Sequence, residues 1–495
     1  MRQKVLLVFP NTSNEAVMPL AIGILSAIAR EVGFDVRYFE TSLYRKALTA
    51  GEERERTGEF KFVDRDSVIK LLPADRLRGD FQKCISTYEP DILAATANSL
   101  EYEFFAEVLA DITFHKSRTF VIVGGVHATV APDEVIRHHR VDAICIGEGE
   151  HAWEEFLIRF KGGEDFAEVR NLWVKQGGKI HRNPLRPLLT EKELWRWPLD
   201  CSFFDKRHFL KPFDGRVYHR GQIELSRGCP YGCSYCVNSG LKAIYKGLGR
   251  FVRTRPFDNL CEGIKAQLQL GAEMMQLQDE CFLSVRARAL EDFCNWYGRE
   301  IKLPLLVQTR PETVSEEKIR ILGGMNIPVQ VSCGVESGSE RILKKICNRH
   351  TSKEQMRKAF QIIKRYGLRA TAYTMIGFPT ETREEAFETI HFIRELNVDN
   401  SIMSVFVPFR GVPLREYCIE RGYITGKERT ATFTDASILR NQPMTAEEVC
   451  NLRRTYSLYT KLPEEYFPQI ELCERQYEKH RDLFERLVKI VNERY

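Results

Sequence analysis

From residue 4 to about residue 160, short wholly apolar runs alternate with longer segments in which apolar positions recur every three or four residues. "KVLLVF" has the length and composition of a buried strand, and "LAIGILSAIAREVGF" has the period of an amphipathic helix stopping at Gly33. "DVRYFE", "DILAATA", "TFVIVGG" and "DAICIG" predict further strands, and "LEYEFFAEVLADI", "APDEVIRHH" and "HAWEEFLIRF" predict helices. Strict β-α alternation implies parallel strands covered on both faces, so residues 1–165 predict a doubly wound, Rossmann-like α/β sheet. One charged stretch, "GEERERTGEFKFVDRDS", interrupts the pattern and reads as a solvated insertion.

The periodicity weakens over 166–217, where "RNLWVKQGGKIHRNP" predicts a hairpin around Gly177-Gly178 and a proline-punctuated connector follows. Over 218–425 the alternation resumes in longer units. "QIELS", "MMQLQDE", "LPLLVQT", "PVQVSCGV", "RATAYTMIG" and "SIMSVFVPF" are strand candidates, and helix-like stretches such as "SEEKIRILGG" and "REEAFETIHFIREL" follow them. Six strand–helix units predict a partial (β/α)6 barrel of TIM type, whose functional groups belong at the C-terminal ends of the strands. Residues 426–495 predict a polar helical region built on "TAEEVCNLRRTYSLYTKL" and "CERQYEKHRDLFERLVKIVNERY".

Composition narrows the classes. Apolar residues make up 43% and charged residues 28% of the 495, enough for buried cores in an ordinary globular protein. A net charge of +5 is small for this length and argues against nucleic-acid binding. The opening "MRQKVLLVFP" lacks a signal-peptide core, and no apolar run approaches the roughly 18–20 residues that span a bilayer, so a cytoplasmic protein is expected. Fourteen cysteines in such a protein do not read as a disulfide framework. Eleven are scattered and read as small buried apolar residues.

The other three, Cys229, Cys233 and Cys236, lie together in "SRGCPYGCSYCVN". A structural zinc site would need four ligands in two pairs, and no second CxxC or HxxxH partner exists. An iron–sulfur cluster held by three thiolates leaves one iron open to a substrate or cofactor, and the glycines and proline let the loop wrap it.

"CPYGCSYC", placed after a strand at the start of a six-unit barrel, resembles the radical S-adenosylmethionine (SAM) superfamily over about 219–425. The resemblance implies that Cys229, Cys233 and Cys236 hold a 4Fe–4S cluster, that the open iron binds SAM, and that one-electron reduction yields a 5′-deoxyadenosyl radical. It assigns Tyr235 to the adenine, Glu336 and Ser337 of "GVESGSERIL" to ribose and methionine, and Gly377 of "MIGFPTE" to close backbone approach. Tyr235 could instead be loop packing, and Glu336 a helix-start carboxylate. Asp279 of "LQDECF" and Arg310 of "QTRPET" fall at strand ends and are candidates for a substrate chamber.

"VGGVHATVAPDEV" followed by "DAICIGEGE" resembles the cobalamin-binding domain of cobalamin-dependent radical SAM enzymes over about 1–160. Ser99, Gly124 and Gly125 are thereby implied at the nucleotide tail, with Thr129 and Glu148 nearby. The loop "FPNTSNEAVMP" has no histidine to sit beneath the cobalt, and His127 reads as a packing residue. The resemblance implies a cobalamin-dependent C-methyltransferase acting on an unactivated carbon of a small molecule, supplied with electrons by a flavodoxin or ferredoxin. A radical oxidative cyclase or ring-rearranging enzyme is the alternative. A methylthiotransferase fits less well, because residues 1–160 hold only Cys84 and Cys145 and the tail is helical. No residue is singled out as catalytic.

Overall fold

A computed structural model describes residues 2–11, 18–45, 48–114 and 119–494. The centre of the first loop, residues 12–17, lies outside them, and with it most of the stretch noted for lacking a histidine. The chain forms two compact units: Met1–Ala47, Asp66–Lys211 and Gly240–Ala272 make the first, and Leu48–Arg65, Pro212–Ser239 and Glu273–Tyr495 the second.

In the first unit β1 (Lys4–Phe9), β2 (Asp35–Glu40), β3 (Ile92–Thr96), β4 (Phe120–Gly124) and β5 (Ala143–Cys145) form a parallel sheet in the order β2-β1-β3-β4-β5. Both faces are apolar because both are covered. Val5 and Leu7 enter one core with Ile22, Ile28 and Phe156, and Leu6 and Val8 enter the opposite core with Phe81 and Phe105. The hairpin predicted around Gly177-Gly178 forms β6 (Leu172–Gln176) and β7 (Lys179–Arg182), which extend this sheet antiparallel from β5. Part of the connector is therefore an edge of the first sheet.

The second sheet runs through β8 (Leu210–Phe213), which enters the second unit at Pro212, then β9 (Arg216–Ile223), β10 (Met274–Leu277), β11 (Leu305–Thr309), β12 (Val329–Glu336), β13 (Arg369–Ile376) and β14 (Asn400–Val405), neighbours in that order. From β9 onward all pairings are parallel. This is the curled half-barrel sheet expected of six strand–helix units, with β8 added at its first edge. The last edge, β14, is covered by Tyr456 and neighbours on the helix Ala446–Lys461. The long final helix expected from "CERQYEKHRDLFERLVKIVNERY" is broken into Phe467–Arg475 and Arg481–Arg494.

The charged stretch after residue 50 is not a solvated insertion. Through Arg65 it belongs to the second unit, and Glu55, Thr57, Glu59 and Arg65 within it are buried. Glu59 accepts the Met403 amide of edge strand β14 at 2.9 Å and the guanidinium of Arg453 at 3.0 Å. The buried charges of the stretch pair internally, Arg56, Lys61, Asp64 and Asp66 stay exposed, and Glu59 caps a strand edge that would otherwise be open.

Candidate active site

The CX3CX2C loop leaves the C-terminal end of β9, and neighbouring strand ends pin it. Asp279, just beyond β10, accepts the amides of Leu225 at 2.9 Å and Ser226 at 2.6 Å. Glu280 accepts the Gly228 amide at 3.0 Å. On the other side Asn348 donates to the Gly232 carbonyl at 2.8 Å, and the Ser234 amide donates to Cys347 O at 3.0 Å. Asp279, read from sequence as a chamber residue, is wholly buried and serves the loop instead.

Burial raises the Asp279 carboxyl to about 7, against the lowering effect of the Ser226 and Leu225 bonds. A carboxyl raised in the folded state favours the fold at low pH, and that contribution is lost as pH rises from about 4 through the folded value. Asp279→Asn removes this titration. Urea midpoints of the two proteins should therefore shift in favour of the variant between pH 5 and pH 8, and a constant difference would refute the assignment.

Cys229 and Cys233 are buried and Cys236 is half-buried. Arg310, following β11, donates Nη1 to Cys233 Sγ at 2.7 Å and lays its guanidinium 3.8 Å from the centroid of the Tyr231 ring in the same loop. Its other face pairs with Glu312 at 2.5 Å. Burial would raise the Glu312 carboxyl, but the Arg310 bond and the charges of Arg349 and Arg310 outweigh it and hold the group at about 2. Arg310 thus meets a thiol of the CX3CX2C loop. Cys281, counted among the scattered cysteines, shares a hydrogen bond with Cys229; that bond and burial push the Cys229 thiol up.

Beside the loop, the guanidinium of Arg349 joins two candidates, Glu336 and Tyr235, to Glu312. It donates to Glu336 at 3.0 Å, to the Tyr235 hydroxyl at 3.4 Å and to Glu312 at 3.4 Å. Glu336 ends β12 with φ +66, where the register with β13 shifts. Such backbone costs about 1–3 kcal/mol and persists where surroundings enforce it, commonly at functional sites. The Tyr235 ring packs edge-on against Phe378, 6.1 Å between centroids. Ser337 turns inward: it is fully buried, with its hydroxyl 3.3 Å from that of Thr389 and accepting the Ser339 amide. At Gly377, φ is +80 and a Cβ would lie 3.0 Å from Val449, so the glycine is required by this unit's own packing. Glu381, unremarked in the sequence although it ends "MIGFPTE", accepts the Gly377 and Phe378 amides. Arg349 carries no motif, and only its burial at 1% exposure marks it.

In the first unit the candidates cluster at the C-terminal ends of β3, β4 and β5. Gly124, Gly125, Gly147 and Gly149 there are half-exposed; Gly124 and Gly125 leave a low edge, and the Tyr245 hydroxyl closes over Gly147 and accepts the Glu148 amide at 2.6 Å. Gly125 has φ +94, and a Cβ would stand 2.7 Å from the Ala97 amide nitrogen and carbonyl oxygen. Gly125→Ala should cost at least about 1–3 kcal/mol and lower the thermal transition of this unit; an unchanged transition would contradict the turn's role. Ser99 and Thr129 are engaged internally, Ser99 with His127 Nδ1 at 3.0 Å and Thr129 with the Gly125 carbonyl at 2.9 Å and the Gly147 amide at 2.8 Å. His127 is buried against Tyr102. The Glu148 carboxylate is paired with Arg253 at 2.7 Å and accepts the Leu189 amide at 3.0 Å. These three residues shape the edge.

Among the described residues no group of three or more His, Cys, Asp or Glu closes around a single metal ion. Three thiolates that each take a different iron of a cluster are free of that constraint, and a cation already bonded to one sulfur suits an anionic thiolate–cluster assembly. The buried Arg349 Nε, without a hydrogen-bond partner, and the adjacent Glu336 offer opposite charges to an amino-acid-like ligand. The donor set therefore fits a cluster with SAM beside it, and the glycine edge fits a flat cofactor tail.

A three-thiol loop at the C-terminal mouth of a half-barrel, in a chain that also carries a doubly wound domain, defines a metallocofactor enzyme with two cofactor-binding units. Residues 223–393 match the family model of the radical SAM superfamily, and residues 64–157 that of the B12 binding domain. The chain is a cobalamin-dependent radical SAM enzyme, and these domains imply a 4Fe–4S cluster, SAM and cobalamin. An uncharacterized methyltransferase of Pyrococcus horikoshii is 27% identical over 78% of this chain and 82% of its own length. Cytidylyl-2-hydroxyethylphosphonate methyltransferase of Streptomyces wedmorensis is 21% identical over 96% and 93%. In fold, the chain is similar to the radical SAM methyltransferase TsrM of Kitasatospora setae, solved with cobalamin and a [4Fe-4S] cluster (TM-score 0.63, 17% identity, 85% of this chain and 78% of that one). No helix among the described residues is long and apolar enough to cross a membrane.

Proposed function

We propose that this enzyme transfers a methyl group to an unactivated carbon of a small molecule, drawing electrons from a flavodoxin or ferredoxin. The observation that carries the reading is the pairing of both domains in a chain that aligns nearly end to end with a methyltransferase, over 96% of this chain and 93% of that relative. In this reading Cys229, Cys233 and Cys236 hold the cluster. Glu336 and Arg349 orient the charged groups of SAM, and Tyr235 borders it. Gly124 and Gly125 let a cofactor tail lie against the first sheet, on an edge kept in shape by Ser99, Thr129 and Glu148. Bound together, the cofactors supply a 5′-deoxyadenosyl radical to remove hydrogen and a methyl group to replace it.

The chain's own contribution is positional. The salt bridges among Arg310, Glu312, Arg349 and Glu336 fix the polar wall beside the cluster loop before any ligand arrives, which lowers the ordering cost at binding. The test is product analysis: reconstituted enzyme with its substrate should release 5′-deoxyadenosine and S-adenosylhomocysteine together. Deoxyadenosine without S-adenosylhomocysteine would sink methylation.

A further inference from the structure

We propose that Arg310 is a positioning residue of the cluster: its guanidinium holds the sulfur of Cys233 and, through that bond, raises the potential at which the cluster accepts its electron. The inference rests on the reading that the three loop cysteines carry the cluster.

The geometry gives Arg310 three anchors. Nη1 reaches Cys233 Sγ at 2.7 Å, the guanidinium stacks 3.8 Å from the centroid of the Tyr231 ring two residues before that cysteine, and Nη2 pairs with Glu312 at 2.5 Å. Glu312 is itself held by Thr351 and by Arg349. The side chain of Arg310 is 11% exposed and Cys233 is 8% exposed, so water screens little of the charge between them. If Arg310 only neutralised Glu312, its free nitrogen would have no reason to face the sulfur. The planar fork spends one edge on the carboxylate and one nitrogen on the thiol, an arrangement that lysine cannot copy.

Reduction adds one electron, here from dithionite, and transfers no proton or group. The added charge falls partly on the thiolates, and hydrogen bonds and cations at those sulfurs stabilise the reduced form. Arg310 does both. A residue that merely clamped the loop would affect loading and leave the potential of a loaded cluster where it was.

The experiment is an EPR-monitored redox titration of anaerobically reconstituted wild type, Arg310→Gln and Arg310→Lys, after iron and acid-labile sulfide have been counted in each. At the wild-type midpoint, Arg310→Gln should show a reduced-to-oxidised ratio at least tenfold lower, a negative shift of about 59 mV for a one-electron couple. Should the glutamine variant fail to load, Arg310→Lys replaces it. It keeps a cation but loses the stacked fork, and a smaller negative shift is expected. A loaded variant titrating at the wild-type potential would overturn this proposal alone, whereas a wild type without iron would overturn the cluster assignment as well.

Discussion

Cys233→Ala should lose the iron and acid-labile sulfide of the reconstituted enzyme and lower 5′-deoxyadenosine formation by at least about a hundredfold, since even outer-sphere partners of a metal site are worth about 10–100-fold. The loop is held from four directions, by Asp279, Glu280, Arg310 and Asn348, and none of these bonds depends on the thiol except that of Arg310. The backbone should therefore survive while the ligand set falls from three to two. Cys294→Ala is the control. That thiol is also buried, at 3% exposure, but sits in the helix Ala287–Glu300, away from the loop. It should keep full iron. Equal iron in both variants would refute the loop as the cluster site.

Glu59→Ala should destabilise the second unit by about 3–5 kcal/mol, the cost of removing one partner of a buried ion pair. The Glu59 side chain is 0% exposed and that of Arg453 2%. The carboxylate also accepts the Thr57 hydroxyl at 3.2 Å and the Met403 amide at 2.9 Å. Its loss leaves an edge-strand amide unpaired and takes the nearer carboxylate from Arg453, which keeps only Glu53 at 3.5 Å. The double variant Glu59→Leu, Arg453→Met should recover much of the loss, because apolar replacements of similar volume remove both charges. Urea midpoints of this unit's transition decide the matter, and a single variant within about 0.5 kcal/mol of wild type, as for an ordinary surface position, would show the pair to be incidental.

The contrast between these two sites explains what the sequence could reveal. The cysteine trio is local: its spacing, glycines and preceding strand lie within one short stretch, so its chemistry is readable. The same holds for the first sheet, whose central strands β1, β3 and β4 are apolar on both faces because each is covered twice. Glu59 and Arg453 lie 394 residues apart, and no period or motif links them, so the charges around Glu59 read as a solvated insertion. Arg349 was hidden for the same reason: it gains meaning only where Glu312, Glu336 and Tyr235 converge. Asp279 and Arg310 fall at strand ends as expected, yet both turn toward the CX3CX2C loop. Position along a strand gives the end of the barrel, whereas a side chain's partner is set by packing. Ser337 and Gly377 make the related point, since in this structure the hydroxyl of one meets Thr389 and the missing Cβ of the other makes room for Val449.

The metal content of one preparation tests the two-cofactor assignment most directly. Protein purified and reconstituted anaerobically with iron, sulfide and cobalamin, then freed of unbound material, should carry four irons, four acid-labile sulfides and one cobalt per chain, the numbers that a 4Fe–4S cluster and one corrinoid require. Iron without cobalt would contradict the cobalamin-dependent methyl transfer proposed here, and cobalt without iron would contradict the assignment of Cys229, Cys233 and Cys236.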